Sequence, residues 1–94
     1  MNLQAMTDSE SAALDTRRRR LLFRATHRGT YENDVMIGGF VRDGLTMFNA
    51  ADLDDLEALL ELPDPVLADW LTGRQPLPQD AAPMLRRIRD AVAR

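Results

Sequence analysis

The side chains of this 94-residue chain that could do chemistry are concentrated in one segment, His27-Arg28-Gly29-Thr30-Tyr31-Glu32-Asn33-Asp34. The segment groups an imidazole, a cation, a phenol and two carboxylates, which suits charge-assisted hydrogen bonding to another molecule. A second interpretation is a junction between two helices, with a glycine ending the first helix and acids in the first turn of the next. The residue types alone leave both interpretations open.

The chain has few residues of the types used in catalytic and metal-binding sites. His27 is the single histidine, the two serines are Ser9 and Ser11, and there is no cysteine. Covalent catalysis requires a nucleophile beside a base, and a metal site requires several converging ligands. Gly38-Gly39 lacks the further glycines of a nucleotide-binding fingerprint. We therefore expect a binding protein with no catalytic residues, metal or bound cofactor of its own.

The charges are unevenly distributed along the chain. Residues 17–28 hold six arginines, whereas residues 52–69 hold seven acids and no base. A nucleic-acid-binding adaptor acting through Arg17–Arg20 is one alternative that this pattern leaves open. The pI near 5.0 and the lack of aromatic residues within the arginine run argue against it. We expect a solvent-exposed helix face and no nucleic-acid partner.

The elements that must position this segment are helices. Apolar residues recur with helical spacing, and no run alternates with the period of a strand. We predict an all-α fold, a small five-helix bundle, with a flexible tail over residues 1–14 and one domain over residues 15–94. The predicted starts, from N-caps and a proline, are Asp15 or Thr16, Thr30, Asn49, Asp64-Pro65 and Asp80. Gly38-Gly39 inside the second helix predicts a kink or a closely packed neighbour.

The sequence also bears on the compartment. No apolar run approaches the roughly 20 residues of a membrane span. The first fifteen residues carry three acids and no arginine, which is not typical of a secretory or transit peptide. We expect a cytoplasmic protein without membrane insertion that is monomeric when free.

The segment resembles a known motif. Arg28-Gly29-x-x-Glu32 followed by Asn33-Asp34 is similar to the RGxxE motif of the succinate dehydrogenase assembly factor 2 / SdhE family, the FAD assembly factors. The segment Asp64-Pro65-x-Leu67-x-x-Trp70-Leu71-Thr72-Gly73 agrees with the same family. The resemblance covers about residues 17–92.

This resemblance implies a five-helix bundle that binds the flavoprotein subunit of succinate dehydrogenase, and in bacteria often that of fumarate reductase. The family promotes covalent attachment of FAD to a histidine of that subunit. Arg28, Gly29 and Glu32 match the functional motif, and Asp34 matches a frequent acid beyond it. With His27 and Tyr31 they form the expected partner-binding surface. Tyr31 stands where arginine or leucine is common. An alternative is an FAD-binding carrier that delivers flavin to the flavoprotein.

Overall fold

The computed structural model describes residues 8–93, and the regular structure in that part of the chain is helical throughout. The elements are α1 (Asp8–Thr26), α2 (Tyr31–Gly44), a 3-10 turn (Leu45–Met47), α3 (Ala50–Leu60), α4 (Asp64–Thr72) and α5 (Pro83–Val92). The predicted all-α, five-helix bundle is confirmed.

One apolar core is shared by all five helices. Leucines dominate it, and Trp70 is half-buried against its edge. The fully buried apolar residues are Leu21, Ala25, Ile37, Val41, Phe48, Leu53, Leu56, Leu59, Leu60, Leu67, Leu71, Met84, Leu85 and Ile88. One buried side chain, Asn33, is polar. Since most of these positions recur every three or four residues, each helix presents one apolar face to the others.

The beginning of α1 differs from the prediction. The chain is already helical at Asp8, so Asp15 and Thr16 lie within the helix and do not cap it. Residues 8–14 therefore belong to α1 and not to a tail, while residues 1–7 lie outside the described part of the chain. Two observations explain the longer helix: Leu14 packs against the core, and Asp15 pairs with Arg18 one turn later (Oδ1–Nη1 2.8 Å).

The start of α5 also differs from the prediction. Asp80 does not cap the helix, which begins at Pro83 with Ala82 as its N-cap. A residue before proline is disfavoured in the helical region, and Ala82 is extended (φ −60°, ψ 146°). Pro83, which lacks an N–H, therefore fixes the first helical position.

The helix caps at α3 and α4 agree with the sequence. The Asn49 side chain accepts from the Asp52 N–H (2.9 Å), and the Asp52 carboxylate accepts from the Asn49 N–H (3.1 Å). This reciprocal capping box satisfies two N–H groups that the helix leaves free. Gly73 ends α4 in the left-handed conformation (φ +84°).

The two adjacent glycines of α2 have different surroundings, and the helix continues through both. A Cβ on Gly38 would lie 2.6 Å from Cγ2 of Thr26 and 3.3 Å from the Ala25 carbonyl oxygen. A Cβ on Gly39 would meet nothing within 4 Å. The predicted closely packed neighbour is therefore α1, and it requires glycine at position 38.

Candidate partner-binding site

The turn between α1 and α2 is built by one glycine and one acid. Gly29 has φ +97°, a left-handed conformation that side chains disfavour. Thr30 follows as the extended N-cap of α2, and its carbonyl accepts from the Asp34 N–H (2.9 Å). The Asp34 carboxylate reaches back and accepts from the Arg28 N–H (2.8 Å). Asp34 therefore closes the turn within the chain.

The Arg28 side chain is directed inward and holds the connection between α3 and α4. Its Nε donates to Oδ1 of Asp64, at the start of α4. Its Nη1 and Nη2 donate to the carbonyl oxygens of Leu60 (2.8 Å) and Leu62 (2.7 Å). The side chain is only 10% exposed. A guanidinium can satisfy these three acceptors together because its donors form a rigid planar fork.

A second donor reaches the same carboxylate from α2. Nδ2 of the buried Asn33 donates to Oδ1 (2.9 Å) and to the carbonyl oxygen (3.0 Å) of Asp64. Both of those atoms can only accept, which fixes the orientation of the Asn33 amide. We call Arg28, Asn33 and Asp64 the clamp, because together they join the α1–α2 turn to the start of α4.

The clamp also determines the protonation of Asp64. Burial raises the pKa of its carboxyl, but the hydrogen bonds from Arg28 and Asn33 and the charge of Arg28 outweigh that effect. The net result is a pKa below the ordinary aspartate value. Asp64 is therefore an anion at neutral pH and holds the arginine in place.

The remaining motif residues face outward beside the clamp. The Tyr31 side chain is 85% exposed, and Gly29 and Glu32 are exposed as well. Glu32 has a long contact to Arg74, which lies just beyond the end of α4 (Oε1–Nη2 3.8 Å). A rigid turn thus displays a bare glycine, a phenol and a carboxylate to solvent. Another protein could approach the backbone closely at the glycine, pack against the phenol ring and form hydrogen bonds with the carboxylate.

His27 joins this surface from the end of α1. Its ring stacks on Phe23 (centroids 4.0 Å apart, planes at 14°), and Nδ1 lies 2.9 Å from the Phe23 carbonyl oxygen. The Thr26 hydroxyl lies equally close to Nδ1 (2.9 Å), so the ring is held at the end of α1 by local contacts. Phe23 is itself largely exposed. We call Phe23, His27, Gly29, Tyr31 and Glu32 the corner surface.

The structure brings the six predicted site residues together at one corner but gives them different roles. Arg28 and Asp34 bond within the chain, whereas His27, Gly29, Tyr31 and Glu32 remain accessible. The sequence placed Asn33 in the motif and Asp64 in the matching segment after it, but it did not predict that they bond to each other, and it missed Phe23 as part of the site. For Asn33 a signal existed, since it lies four and eight residues before two buried positions, Ile37 and Val41. That spacing places it on the buried face of α2.

Two arginines of α1 pair with acids of α3 or of its C-cap. Arg17 pairs with Asp54 (2.7 Å) and Glu57 (2.9 Å), and Arg24 pairs with Glu61 (2.8 Å). Arg18 pairs with Asp15 on its own helix and Arg28 with Asp64, so four of the six arginines in residues 17–28 are paired with acids. Such pairing leaves less positive charge for a phosphate backbone, which disfavours the nucleic-acid alternative.

Two further findings, on metal binding and on membrane-spanning helices, concern residues 8–93. They contain no group of three or more histidine, cysteine, aspartate or glutamate side chains placed to hold a metal ion. None of their helices is long and apolar enough to cross a membrane.

Comparison with known proteins identifies the family. The model of the family described as "Flavinator of succinate dehydrogenase" matches residues 19–92, which include the whole corner and the clamp. The chain belongs to this family. The resemblance inferred from the RGxxE motif is thereby confirmed.

Individual relatives agree with this membership. The FAD assembly factor SdhE of Acetobacter pasteurianus is 58% identical over 76 residues, which are 80% of this chain and 70% of the relative. The mitochondrial succinate dehydrogenase assembly factor 2 of Mycosarcoma maydis is 35% identical over 69 residues, 73% of this chain and 29% of the relative. Factor 2-B of Drosophila melanogaster is 32% identical over 82 residues, 84% of this chain and 53% of the relative. The chain thus spans about half or less of these two mitochondrial relatives.

Proposed function

We propose that this chain binds the flavoprotein subunit of succinate dehydrogenase through the corner surface and promotes covalent attachment of FAD to it. The flavoprotein of fumarate reductase is a second client of the same kind. The chain acts in the cytoplasm as a binding partner and supplies no catalytic residue of its own. Family membership supports the flavoprotein subunit as the binding partner. The exposure of Tyr31 and Glu32 beside a buried, hydrogen-bonded Arg28 supports the corner surface as the contact.

The main support for this proposal is that the motif residues have two different roles: Arg28 and Asp34 bond within the chain, and Gly29, Tyr31 and Glu32 are exposed. The clamp fixes the turn, so Gly29, Tyr31 and Glu32 are held in one geometry before a partner arrives. Little conformational entropy is then lost on binding, which favours affinity. Arg28 and Asp34 contribute indirectly, by positioning their neighbours.

An assembly factor without a nucleophile can still accelerate attachment. Holding the flavoprotein in a reactive arrangement contributes through orientation, and fixed charges contribute through electrostatic preorganisation. Glu32 supplies a carboxylate for hydrogen bonds to the flavoprotein, and Gly29 permits close approach of its backbone.

The surroundings of the motif favour FAD bound by the flavoprotein over FAD carried by this chain. One hollow beside the clamp is lined by Glu32, whose negative charge repels a diphosphate, and by Asp64, which is paired with Arg28. The hollow on the other side is lined by Arg24 and Arg28, but both arginines are paired with carboxylates. We therefore assign flavin binding to the client.

The test is reconstitution with purified flavoprotein lacking covalent flavin, free FAD and this chain. Covalent flavin is read as fluorescence of the denatured flavoprotein band. We expect Glu32→Gln to lower the rate of incorporation at least tenfold, while Glu61→Gln, which removes an exposed α3 carboxylate, leaves it unchanged.

Two results would contradict the proposal. One is full incorporation with a folded Glu32→Gln, Tyr31→Ala double variant. The other is tight binding of free FAD by the isolated chain, measured by quenching of flavin fluorescence, which would support the carrier alternative instead.

A further inference from the structure

A groove between α2 and α5 adjoins the corner surface. It has a volume of about 670 Å³ and is lined mainly by apolar side chains of α2, the 3-10 turn and α5. Val35 and Met47 form part of its wall and are 53% and 81% exposed. Large apolar side chains that remain this exposed at one place are typical of a binding surface. We call this feature the α2 groove.

The α2 groove is open to solvent beside Gly39. Gly39 lies in its wall, and a Cβ at this position would meet nothing within 4 Å. Arg87 of α5 lies over the rings of Phe40 (5.8 Å) and Phe48 (5.5 Å) and also bonds to Asp52 (3.2 Å). The guanidinium is thus held against the aromatic rings that line the groove.

The α2 groove is continuous with the corner surface. Tyr31, Val35 and Gly39 are spaced by four residues along α2, so they lie on one side of the helix, one turn apart. A protein that covers Tyr31 therefore also approaches Val35 and the mouth of the groove.

The size of a stable interface supports the same extension. A specific protein–protein interface buries about 800 Å² on each partner and involves about 20–30 residues. The corner surface contains five residues, which is too few. Of the surfaces adjoining Tyr31, the α2 groove offers exposed apolar side chains that an interface core requires.

We propose that an apolar side chain of the flavoprotein subunit occupies the α2 groove, forming a second contact continuous with the corner surface. This inference rests on the proposed function. The occupant is apolar because apolar side chains predominate in the groove wall; of its two charged residues, Asp43 and Arg87, the arginine is already paired with Asp52. The corner then supplies polar recognition, and the groove supplies apolar burial.

Two substitutions at Gly39 test the proposal without a folding ambiguity. Gly39→Ala adds one methyl group in open space and favours the helix, so it serves as the control. Gly39→Leu places a branched side chain at the mouth of the groove. We expect Gly39→Leu to weaken binding to the flavoprotein at least tenfold by calorimetry and Gly39→Ala to bind like the wild type. Urea unfolding is measured for both.

A charged residue in the groove gives a second comparison. We expect Val35→Glu to weaken binding at least tenfold, while Val66→Glu, on the exposed side of α4, binds like the wild type. Wild-type affinity for folded Gly39→Leu and Val35→Glu would overturn the inference. Self-association of the wild type that Gly39→Leu abolishes, with flavoprotein binding unchanged, would also overturn it and assign the groove to a second copy.

The corner variants separate this inference from the proposed function. Loss of binding by Tyr31→Ala with none by Gly39→Leu would retain the proposed function and reject the groove contact. Failure of the wild type to bind any flavoprotein subunit would reject both.

Discussion

Arg28 and Asp64 form an ion pair that joins the turn before α2 to the first residue of α4, 36 positions along the chain. The same guanidinium donates to the carbonyl oxygen of Leu60, the last residue of α3, and to that of Leu62 in the loop that follows. Helix ends leave carbonyl groups without internal partners, and arginine commonly satisfies them. The arginine of the motif therefore acts as a positioning residue, and the outward residues beside it are the proposed contacts.

Loss of the clamp arginine should destabilise the fold. Arg28→Ala removes three hydrogen bonds and leaves the Asp64 carboxylate without its cation, so we expect a loss of about 3 kcal/mol in the free energy of unfolding. Arg28→Lys should recover only part of this loss, since an ammonium lacks the planar fork. Urea unfolding measures both.

The control for this change is an exposed pair on the same helix. Arg24 pairs with Glu61 at the surface, and Arg24→Ala should cost less than about 1 kcal/mol. An Arg28→Ala variant as stable as Arg24→Ala would show that the clamp contributes nothing to stability.

Acid should weaken the clamp in a defined direction. The pKa of Asp64 is lowered in the folded chain, so the unfolded chain binds this proton more readily. The contribution of Asp64 is complete above the ordinary value of 3.8 and is lost as the pH falls below it towards the folded pKa. We expect Asp64→Asn to be less stable at neutral pH and to lose less stability on acidification.

The measurement is urea unfolding across this acidic range. Asp55→Asn is the matched control, because Asp55 is half-buried on α3 and takes part in no ion pair found within residues 8–93. Equal pH dependence in Asp64→Asn and the wild type would contradict the assignment.

The adjacent glycines of α2 should respond oppositely to alanine. Gly38→Ala forces a methyl group against Thr26 and the α1 backbone, which should lower the free energy of unfolding by about 1–3 kcal/mol. Gly39→Ala should raise it by up to about 1 kcal/mol through helix propensity. Thermal unfolding of the two variants decides this. Equal shifts of the same sign would mean that α1 does not pack against Gly38 as described.

Tyr31 should matter for binding and not for folding. Its side chain is largely exposed, so Tyr31→Ala should change stability by less than about 0.5 kcal/mol. If its ring is an anchor, the same change should weaken flavoprotein binding by about 2 kcal/mol, roughly thirtyfold. Tyr31→Phe should retain most of the affinity. Calorimetry against the flavoprotein subunit, with unfolding measured in parallel, distinguishes the two effects.

Local signals in the sequence were sufficient for most of the fold. A glycine is typical of a helix end, and Gly29 and Gly73, which follow α1 and α4, both adopt positive φ. The Asn49 cap was predicted because capping depends on residues three positions apart. The prediction of Asp80 as a helix cap was wrong because Pro83, three residues later, determines where α5 begins. The first residues of α1 were not predicted to be helical because few apolar residues occur among them.

The location of the site could be predicted from the sequence, but the contacts of its residues could not. The motif located the corner, but the inward role of Arg28 depends on Asp64 and on two backbone carbonyls far along the chain. Contacts of that separation leave no periodic pattern in a single sequence. The stack of His27 on Phe23 also requires the helix end to be known, since Phe23 lies on the last turn of α1 and His27 directly follows the helix.

Whether the corner surface touches the flavoprotein is tested most directly by photo-crosslinking from position 31. Tyr31 is replaced by p-benzoylphenylalanine, which keeps an aromatic ring at that place, and Val66 is replaced in the same way as a control. We expect irradiation with the flavoprotein subunit to give a covalent complex from position 31 and little from position 66. Capture from position 66 with none from position 31 would contradict the proposed binding surface.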